Sequence, residues 1–346
     1  MKSVAGDFLV ALKSLYKNII EVMEIIMRNK LIALAAVVLI VLSYMVGSYF
    51  VDFSMRRTDP NDIDSGPPAC ANIHDPTRTV AEKPDYLNET WSIVSEDGLK
   101  LNATYFSSDV PTHHWAILVH GYGRDQRYAW DYADPYLERG YNVLTPDLRA
   151  SGTSEGEFLT MGVKESDDLL LWIDRIVKVD PKARITLHGV SMGAATVMIT
   201  AGKSKSPNLV AVIEDCGYTS AYNMFTMQLK VIFNLPAFPI MHIVDIVSHL
   251  KTGASVTEAA PILFVGGITV PVLFIHGTED KLVPYYMMQE LYDACRTSVK
   301  EIFTVEGAGH ADSKNINPTL YFNRIFSFLD QYIEVDDIEN AAKELS

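Results

Sequence analysis

From Leu31 to Val51 the chain runs for 21 residues without a charged side chain, and no other feature restricts its possible structures so strongly. A helix of this length covers about 30 Å, the thickness of a bilayer's hydrocarbon core. A soluble helix of the same length would show a polar face, and this one shows none. Lys13, Lys17, Arg28 and Lys30 precede the run, while Arg56 and Arg57 follow it. The basic excess on the N-terminal side predicts a single-pass cell-membrane anchor, with the N-terminus in the cytoplasm and the following domain extracellular. Some thirty residues come before the run and no A-x-A-like site follows it, so an uncleaved anchor fits better than a signal peptide.

The flanks differ in character. Residues 1–30 form a cytoplasmic segment in which Phe8, Leu12, Leu15, Ile19, Met23 and Ile26 recur at helical steps. Such an amphipathic helix could lie on the membrane, pair with a partner helix or extend the anchor. Residues 52–84 hold Pro60, Pro67, Pro68, Pro76 and Pro84 without apolar periodicity, which reads as a stalk or a wrap around the domain. Residues 334–346 are an acidic tail. The net charge of −14, with no cluster of Lys and Arg outside the N-terminus, argues against nucleic-acid binding. Cys70, Cys216 and Cys295 fit neither a zinc site nor a disulfide framework, and read as free, mostly buried thiols.

Between residues 85 and 333, apolar runs alternate with helical patterns. Trp91 to Phe106 reads as a hairpin around Asp97-Gly98. Buried strands are expected at 115–120, 142–146, 184–190, 209–214, 270–276 and 300–305, and helices at about 126–139, 163–179, 192–203, 285–297 and 318–332. This alternation predicts an α/β fold, a mostly parallel sheet with helices on both faces. Three strands end in His-Gly, at His120-Gly121, His188-Gly189 and His276-Gly277, which marks the carboxyl edge where open α/β sheets bind ligands.

Gly189-Val190-Ser191-Met192-Gly193 sits between an apolar strand and a helical segment. A serine on so sharp a strand-turn-helix is forced up to the sheet's edge, with small residues letting the turn close, and becomes a candidate nucleophile. A hydroxyl needs a base to attack near neutral pH. His310, in the loop Val305-Glu306-Gly307-Ala308-Gly309-His310, is the only histidine beyond the strand ending at His276. Asp280 is the preferred acid to orient it, with Glu279 the competitor one residue away. An oxyanion needs two backbone N–H groups, expected from Met192 and from Tyr122 in the loop after His120. His120 and His188 read as structural.

In this order, these residues resemble the α/β-hydrolase superfamily over about residues 85–333. Asp147-Leu148-Arg149-Ala150-Ser151-Gly152-Thr153-Ser154 resembles the family's D-x-R-G-x-G-x-S loop, with Ala150 in place of a glycine. The stretches Gly162 to Trp172 and Asp215 to Ser220 are similar to membrane-anchored hydrolases of Gram-positive bacteria, of the serine aminopeptidase-like group. The resemblance implies the α/β-hydrolase fold, the triad Ser191, Asp280 and His310, hydrolysis of an ester or amide, and no metal or organic cofactor. Residues 217–268 occupy the place of the fold's cap, a small helical insertion. Its Met224, Phe225, Met227, Ile232, Phe233, Phe238, Ile240 and Met241 read as an apolar lid, or as a cap that simply packs on the domain.

The expected function is therefore a serine hydrolase acting on a small-molecule ester of an apolar acyl group, as a carboxylesterase does. The alternatives are a peptidase or acyltransferase, and a non-enzymatic surface protein that retains the fold; for an aminopeptidase, Glu214 and Asp215 could hold the substrate amine or equally cap a strand end.

Overall fold

A computed structural model describes residues 2–59, 61–62, 64–69 and 80–344, with side-chain surroundings for 9–333 of these. The eight strands are β1 (Asn88–Val94), β2 (Lys100–Phe106), β3 (His114–Val119), β4 (Asn142–Pro146), β5 (Arg184–Val190), β6 (Leu209–Asp215), β7 (Val272–Gly277) and β8 (Lys300–Val305). They form one sheet in the order β1-β2-β4-β3-β5-β6-β7-β8. The hairpin β1–β2 and the β2–β4 pair are antiparallel, and every pair from β4 onward is parallel. This is the expected α/β architecture, a mostly parallel sheet with helices on both faces. Strand order reverses between β3 and β5, so the chain leaves these neighbours in opposite directions and a crevice opens above their carboxyl ends.

Ten helices complete the described residues: α1 (Lys2–Met55), α2 (Gln126–Trp130), α3 (Ala133–Glu138), α4 (Val163–Val179), α5 (Met192–Lys203), α6 (Ala221–Phe233), α7 (Ile240–Thr252), α8 (Tyr286–Ala294), α9 (Ser313–Ile316) and α10 (Pro318–Glu344). On one face of the sheet, α4 and α5 bury Leu169, Trp172, Ile176, Val197 and Met198. On the other, α3 and α10 bury Tyr136, Tyr321, Ile325 and Phe328. The expected helix at 126–139 is broken in two, and the cap consists of α6 and α7 followed by two single 3-10 turns, Pro261–Leu263 and Val265–Gly267.

Of the alternatives for the N-terminal region, the amphipathic helix extends the anchor. The N-terminal segment and the apolar run are one unbroken helix, about 80 Å long at 1.5 Å per residue. Within it, Leu9–Met55 is long and apolar enough to cross a membrane. Its side chains are almost all exposed as far as Val46, but from Gly47 onward the helix docks on the domain. Val51 and Met55 are fully buried in the same core as Trp172, worth about 1.5–3 kcal/mol each.

Residues 52–84 were expected as a stalk or a wrap around the domain, and the described residues at their start pack on the domain. Residues 52–55 finish the helix, and buried Arg57 donates to the carbonyls of Asp62, Gly152 and Ser154, binding the chain to the β4–α4 loop. Burial of Val51, Met55 and the Arg57 guanidinium outweighs the loose-linker composition. Pro60, Pro76 and Cys70 lie outside the described residues, while Cys216 and Cys295 are free and buried. The expected tail at 334–346 continues α10 as far as Glu344.

Candidate active site

β5 passes into α5 through a single residue, Ser191, held at φ 58° and ψ −116°. A non-glycine residue in this region is strained, and the surroundings enforce it. A Cβ on Gly189 would lie 2.2 Å from the Gly193 carbonyl oxygen, and one on Gly193 would lie 2.1 Å from that of Val119. Only hydrogen fits at either place, so the motif's glycines are a steric requirement. The Ser191 N–H donates to the Asp215 carbonyl at the end of β6 (2.8 Å), which pins the turn to the neighbouring strand.

The loops after β7 and β8 bring the other two groups to this serine. His310 Nε2 lies 2.8 Å from Ser191 Oγ, and His310 Nδ1 lies 2.8 Å from Asp280 Oδ2. A carboxylate only accepts, so Nδ1 carries the proton and Nε2 turns its lone pair toward the serine hydroxyl. The other oxygen, Asp280 Oδ1, accepts from the N–H groups of Leu282 (2.9 Å) and Val283 (2.8 Å). Burial works to raise the Asp280 pKa, but the interactions with His276 and His310 outweigh it, so the carboxyl stays well below its usual range. Glu279, the competing acid, is exposed.

The remaining histidines of the three strand ends support the sheet edge. His120 Nε2 accepts from the Leu148 N–H at 3.0 Å. His276 Nε2 lies 2.8 Å from the Val283 carbonyl, nearer than the 3.4 Å to Asp280. His188 is buried between the hydroxyls of Tyr136 and Tyr321, and desolvation lowers its pKa to about 3. In the D-x-R loop, Asp147 accepts from Gln126 and Thr153, and Arg149 bridges Asp168 and Asp97. Ala150 takes φ 56° there. Glu214 and Asp215 are fully buried beneath the site, and burial pushes their pKa values up to about 8 and about 6. Neither lines the cavity, so neither is placed to hold a substrate amine.

Ser191, His310, Tyr122 and Met192 line one half-open cavity, with about 890 Å³ of empty space when its open mouth is included. Among the described residues its wall contains no Asp, Glu, Lys or Arg. The cap contributes Met224, Phe225, Ile232, Phe233 and Met241, as its composition suggests, whereas Met227 and Ile240 pack on the core and Phe238 is 73% exposed. Sequence reading missed the third contributor: Phe50, Phe53 and Ser54 of α1 line the same cavity. The Tyr122 hydroxyl donates to the Ser54 carbonyl (2.7 Å), which ties the loop after β3 to the end of that helix. The available signal was the apolar pattern continuing past the first charge, through Phe53 and Met55.

Among the described residues, Cys216, Asp280 and His310 are the one trio whose potential ligand atoms lie within 4.8 Å of one another. They make a poor metal site. Asp280 and His310 already engage each other, and burial pushes the Cys216 thiol well above its ordinary pKa, away from the thiolate a metal requires.

Comparison with known proteins places the fold. Residues 116–321 match the model of a family described as the alpha/beta hydrolase family. The chain is 29% identical over 307 residues to an uncharacterised protein of Bacillus subtilis (strain 168), covering 88% of this chain and 98% of that one. It is 24% identical over 225 residues to an uncharacterised membrane protein of Saccharomyces cerevisiae, covering 65% of this chain and 74% of the yeast protein. Among solved structures, an esterase of Pyrococcus furiosus superposes with a TM-score of 0.60 at 23% identity, over 73% of this chain and 98% of that one. An acylaminoacyl peptidase of Pyrococcus horikoshii superposes with a TM-score of 0.55 at 18% identity, over 72% of this chain and 42% of the peptidase.

Proposed function

Because this chain belongs to the alpha/beta hydrolase family, we propose that it is a serine hydrolase that cleaves esters of an apolar acyl group through an acyl-enzyme, with Ser191, His310 and Asp280 as its triad. Ser191 Oγ attacks the acyl carbonyl while His310 Nε2 takes its proton, and Asp280 stabilises the imidazolium that forms. The N–H groups of Met192 and Tyr122 receive the developing oxyanion. Collapse expels the alcohol, which leaves with the proton from His310. A water activated by the same imidazole then releases the carboxylic acid and restores Ser191.

The observation that carries this reading is the pair of 2.8 Å contacts from Asp280 through His310 to Ser191, opening on a wall of Met and Phe. An uncharged wall favours an acyl group over the protonated amine of an aminopeptidase substrate. α1 serves as a single-pass anchor, and the basic residues before Leu31 favour an outward-facing domain.

Fluorophosphonate labelling and hydrolysis of an ester series from acetyl to octanoyl test the proposal on the full chain. Labelling at Ser191 is expected, with kcat/KM rising roughly tenfold for each two added carbons until the cavity is full. Ser191→Ala should remove both the label and about 10⁴-fold or more of the rate. Retention of a tenth of the rate would exclude Ser191 as nucleophile, and a flat ester series beside turnover of aminoacyl amides would favour a peptidase.

A further inference from the structure

We infer that the substrate is an acyl lipid resident in the membrane, whose fatty chain reaches Ser191 along the domain-side end of α1. The inference rests on the ester-hydrolase reading above and on α1 crossing a bilayer. Phe50 and Phe53, on consecutive turns of α1, form part of the wall of the same cavity that contains Ser191 and His310. The charge-free run ends at Val51, and all of it is needed to cover about 30 Å of hydrocarbon. The first charge beyond it, Asp52, pairs with Lys251 of the cap at 2.5 Å. The edge of the hydrocarbon therefore falls within about one helical turn of Phe50. The acyl cavity and the lipid share a wall.

The cap is suited to that depth. Its α7 clasps α1 at Gly47, where an added Cβ would meet Val247 Cγ2 at 2.6 Å and Ile243 Cγ2 at 2.9 Å. On the flank of this stripe, Ile246 and Leu250 are 63% and 68% exposed. They continue the lipid-facing surface of α1 onto the domain, and bilayer lipid is the occupant that would cover them. Phe233 of α6 stands edge-on to Phe50 (5.2 Å) and Phe53 (5.3 Å), and also contacts Tyr49 (6.4 Å), which is exposed. This aromatic cluster separates lipid from cavity with rings alone. A long-chain ester that left the bilayer through water would expose every methylene, and a route past Phe233 avoids this. In the reaction, water adds across the acyl–oxygen bond: the fatty acid gains the hydroxyl, and the hydrogen goes to the alcohol oxygen of the remaining lipid.

The full chain is reconstituted in phosphatidylcholine vesicles that carry either dioleoylglycerol or dioleoylphosphatidylglycerol, with p-nitrophenyl butyrate as the soluble ester. Oleate release is expected, with kcat/KM on one of the vesicle esters at least about tenfold above that on butyrate. Butyrate turnover without oleate release from either lipid would overturn the lipid inference and leave the ester-hydrolase reading standing. Failure on all three, with no fluorophosphonate label, would remove both. Ser191→Ala, checked for native circular dichroism, is then exposed in vesicles to a phosphatidylglycerol with a diazirine near the end of one acyl chain. Cross-links at Phe53 or Phe233 are expected, whereas cross-links confined to residues 31–46 would overturn the route along α1.

Discussion

The cavity has two walls built in opposite ways. The reactive wall comes from the loops after β3, β5, β7 and β8, each holding a polar group at the end of a strand; the first three strands are buried, while β8, expected to be buried, is half-exposed at the sheet's edge. The apolar wall comes from three helices, α1, α6 and α7, with the first more than 160 residues from the other two in the chain. One wall is specified by local backbone constraints such as φ 58° at Ser191, and the other by which helices happen to dock. Damage to the first should abolish chemistry, whereas damage to the second should redistribute it among substrates.

The largest separation is expected on the reactive wall itself. Asp280→Asn should lower kcat by about 10⁴-fold, because an amide can present its N–H to Nδ1 and favour the wrong imidazole tautomer. Glu279→Gln changes an exposed neighbour and should stay within about threefold, since a screened surface charge acts weakly. Steady-state hydrolysis of one short ester by both variants decides the matter, and the reverse order would make Glu279 the orienting acid.

That contrast also explains what the sequence disclosed. Gly189, Gly193 and Ser191 are legible because their spacing between strand and helix leaves one steric solution, and His310 follows from being the only histidine past β7. Asp280 was preferred to Glu279 in the sequence, one residue away, and the structure buries Asp280 beside His310 while Glu279 is exposed. The apolar wall was legible only in part. Met224 and Phe233 announce an apolar lid, but only the fold shows that Phe233, at the end of α6, lines the cavity while Phe238, in the loop before α7, is exposed. Phe50 was hidden because a hydropathy run assigns every residue to lipid, and a helix can present one face to lipid and another to a cavity. Arg57 beside proline-rich sequence looked solvated, since no periodicity marks a buried guanidinium.

The junction of the two walls gives a smaller contrast between adjacent arginines. Arg57 is 2% exposed and serves three carbonyls, so Arg57→Ala should strand buried acceptors and cost about 2–4 kcal/mol. Arg56 is exposed, pairs with Glu157 at the surface, and its loss should cost under about 1 kcal/mol. Urea denaturation followed by tryptophan fluorescence compares them. Equal costs would mean that the end of α1 is not held by the β4–α4 loop.

On the helical wall, Gly47→Leu forces side-chain volume against Val247 and Ile243 without touching the cavity lining. Neither β-branched neighbour can swing aside cheaply, so α1 must shift from α7. The octanoyl-to-acetyl ratio of kcat/KM should fall about tenfold, because the acyl site loses packing from Phe50 and Phe53, while acetyl hydrolysis stays within about threefold. An unchanged ratio would detach α1 from substrate selection. A parallel loss on both esters would show that the helix supports the reactive wall as well, through the Tyr122 contact with Ser54.

The smallest expected effect lies beneath the reactive wall and depends on pH. Glu214 is fully buried, and its Oε2 accepts from the Gly217 N–H at 3.0 Å, while Oε1 has no protein partner. Burial raises its pKa to about 8, so in the folded protein at pH 7 it mostly carries a proton, while in the unfolded chain it is mostly ionised. Between about pH 4.5 and pH 8 the folded state therefore binds more protons, and the stability Glu214 contributes falls as pH rises through that window. Glu214→Gln keeps the shape and neutrality but removes the titration. The variant should gain roughly 1–3 kcal/mol relative to the parent at pH 8 and under about 1 kcal/mol at pH 5, where the folded side chain is neutral in both and the unfolded one is only part-way through its titration. Asp215, raised to about 6, titrates in both proteins and cancels from the difference unless the substitution alters its own pKa. Thermal unfolding at a series of pH values reads this directly. A gain of equal size at pH 5 and pH 8 would assign the effect to the unpartnered Oε1 finding a better hydrogen bond, and Glu214 would then be ionised in the folded protein after all.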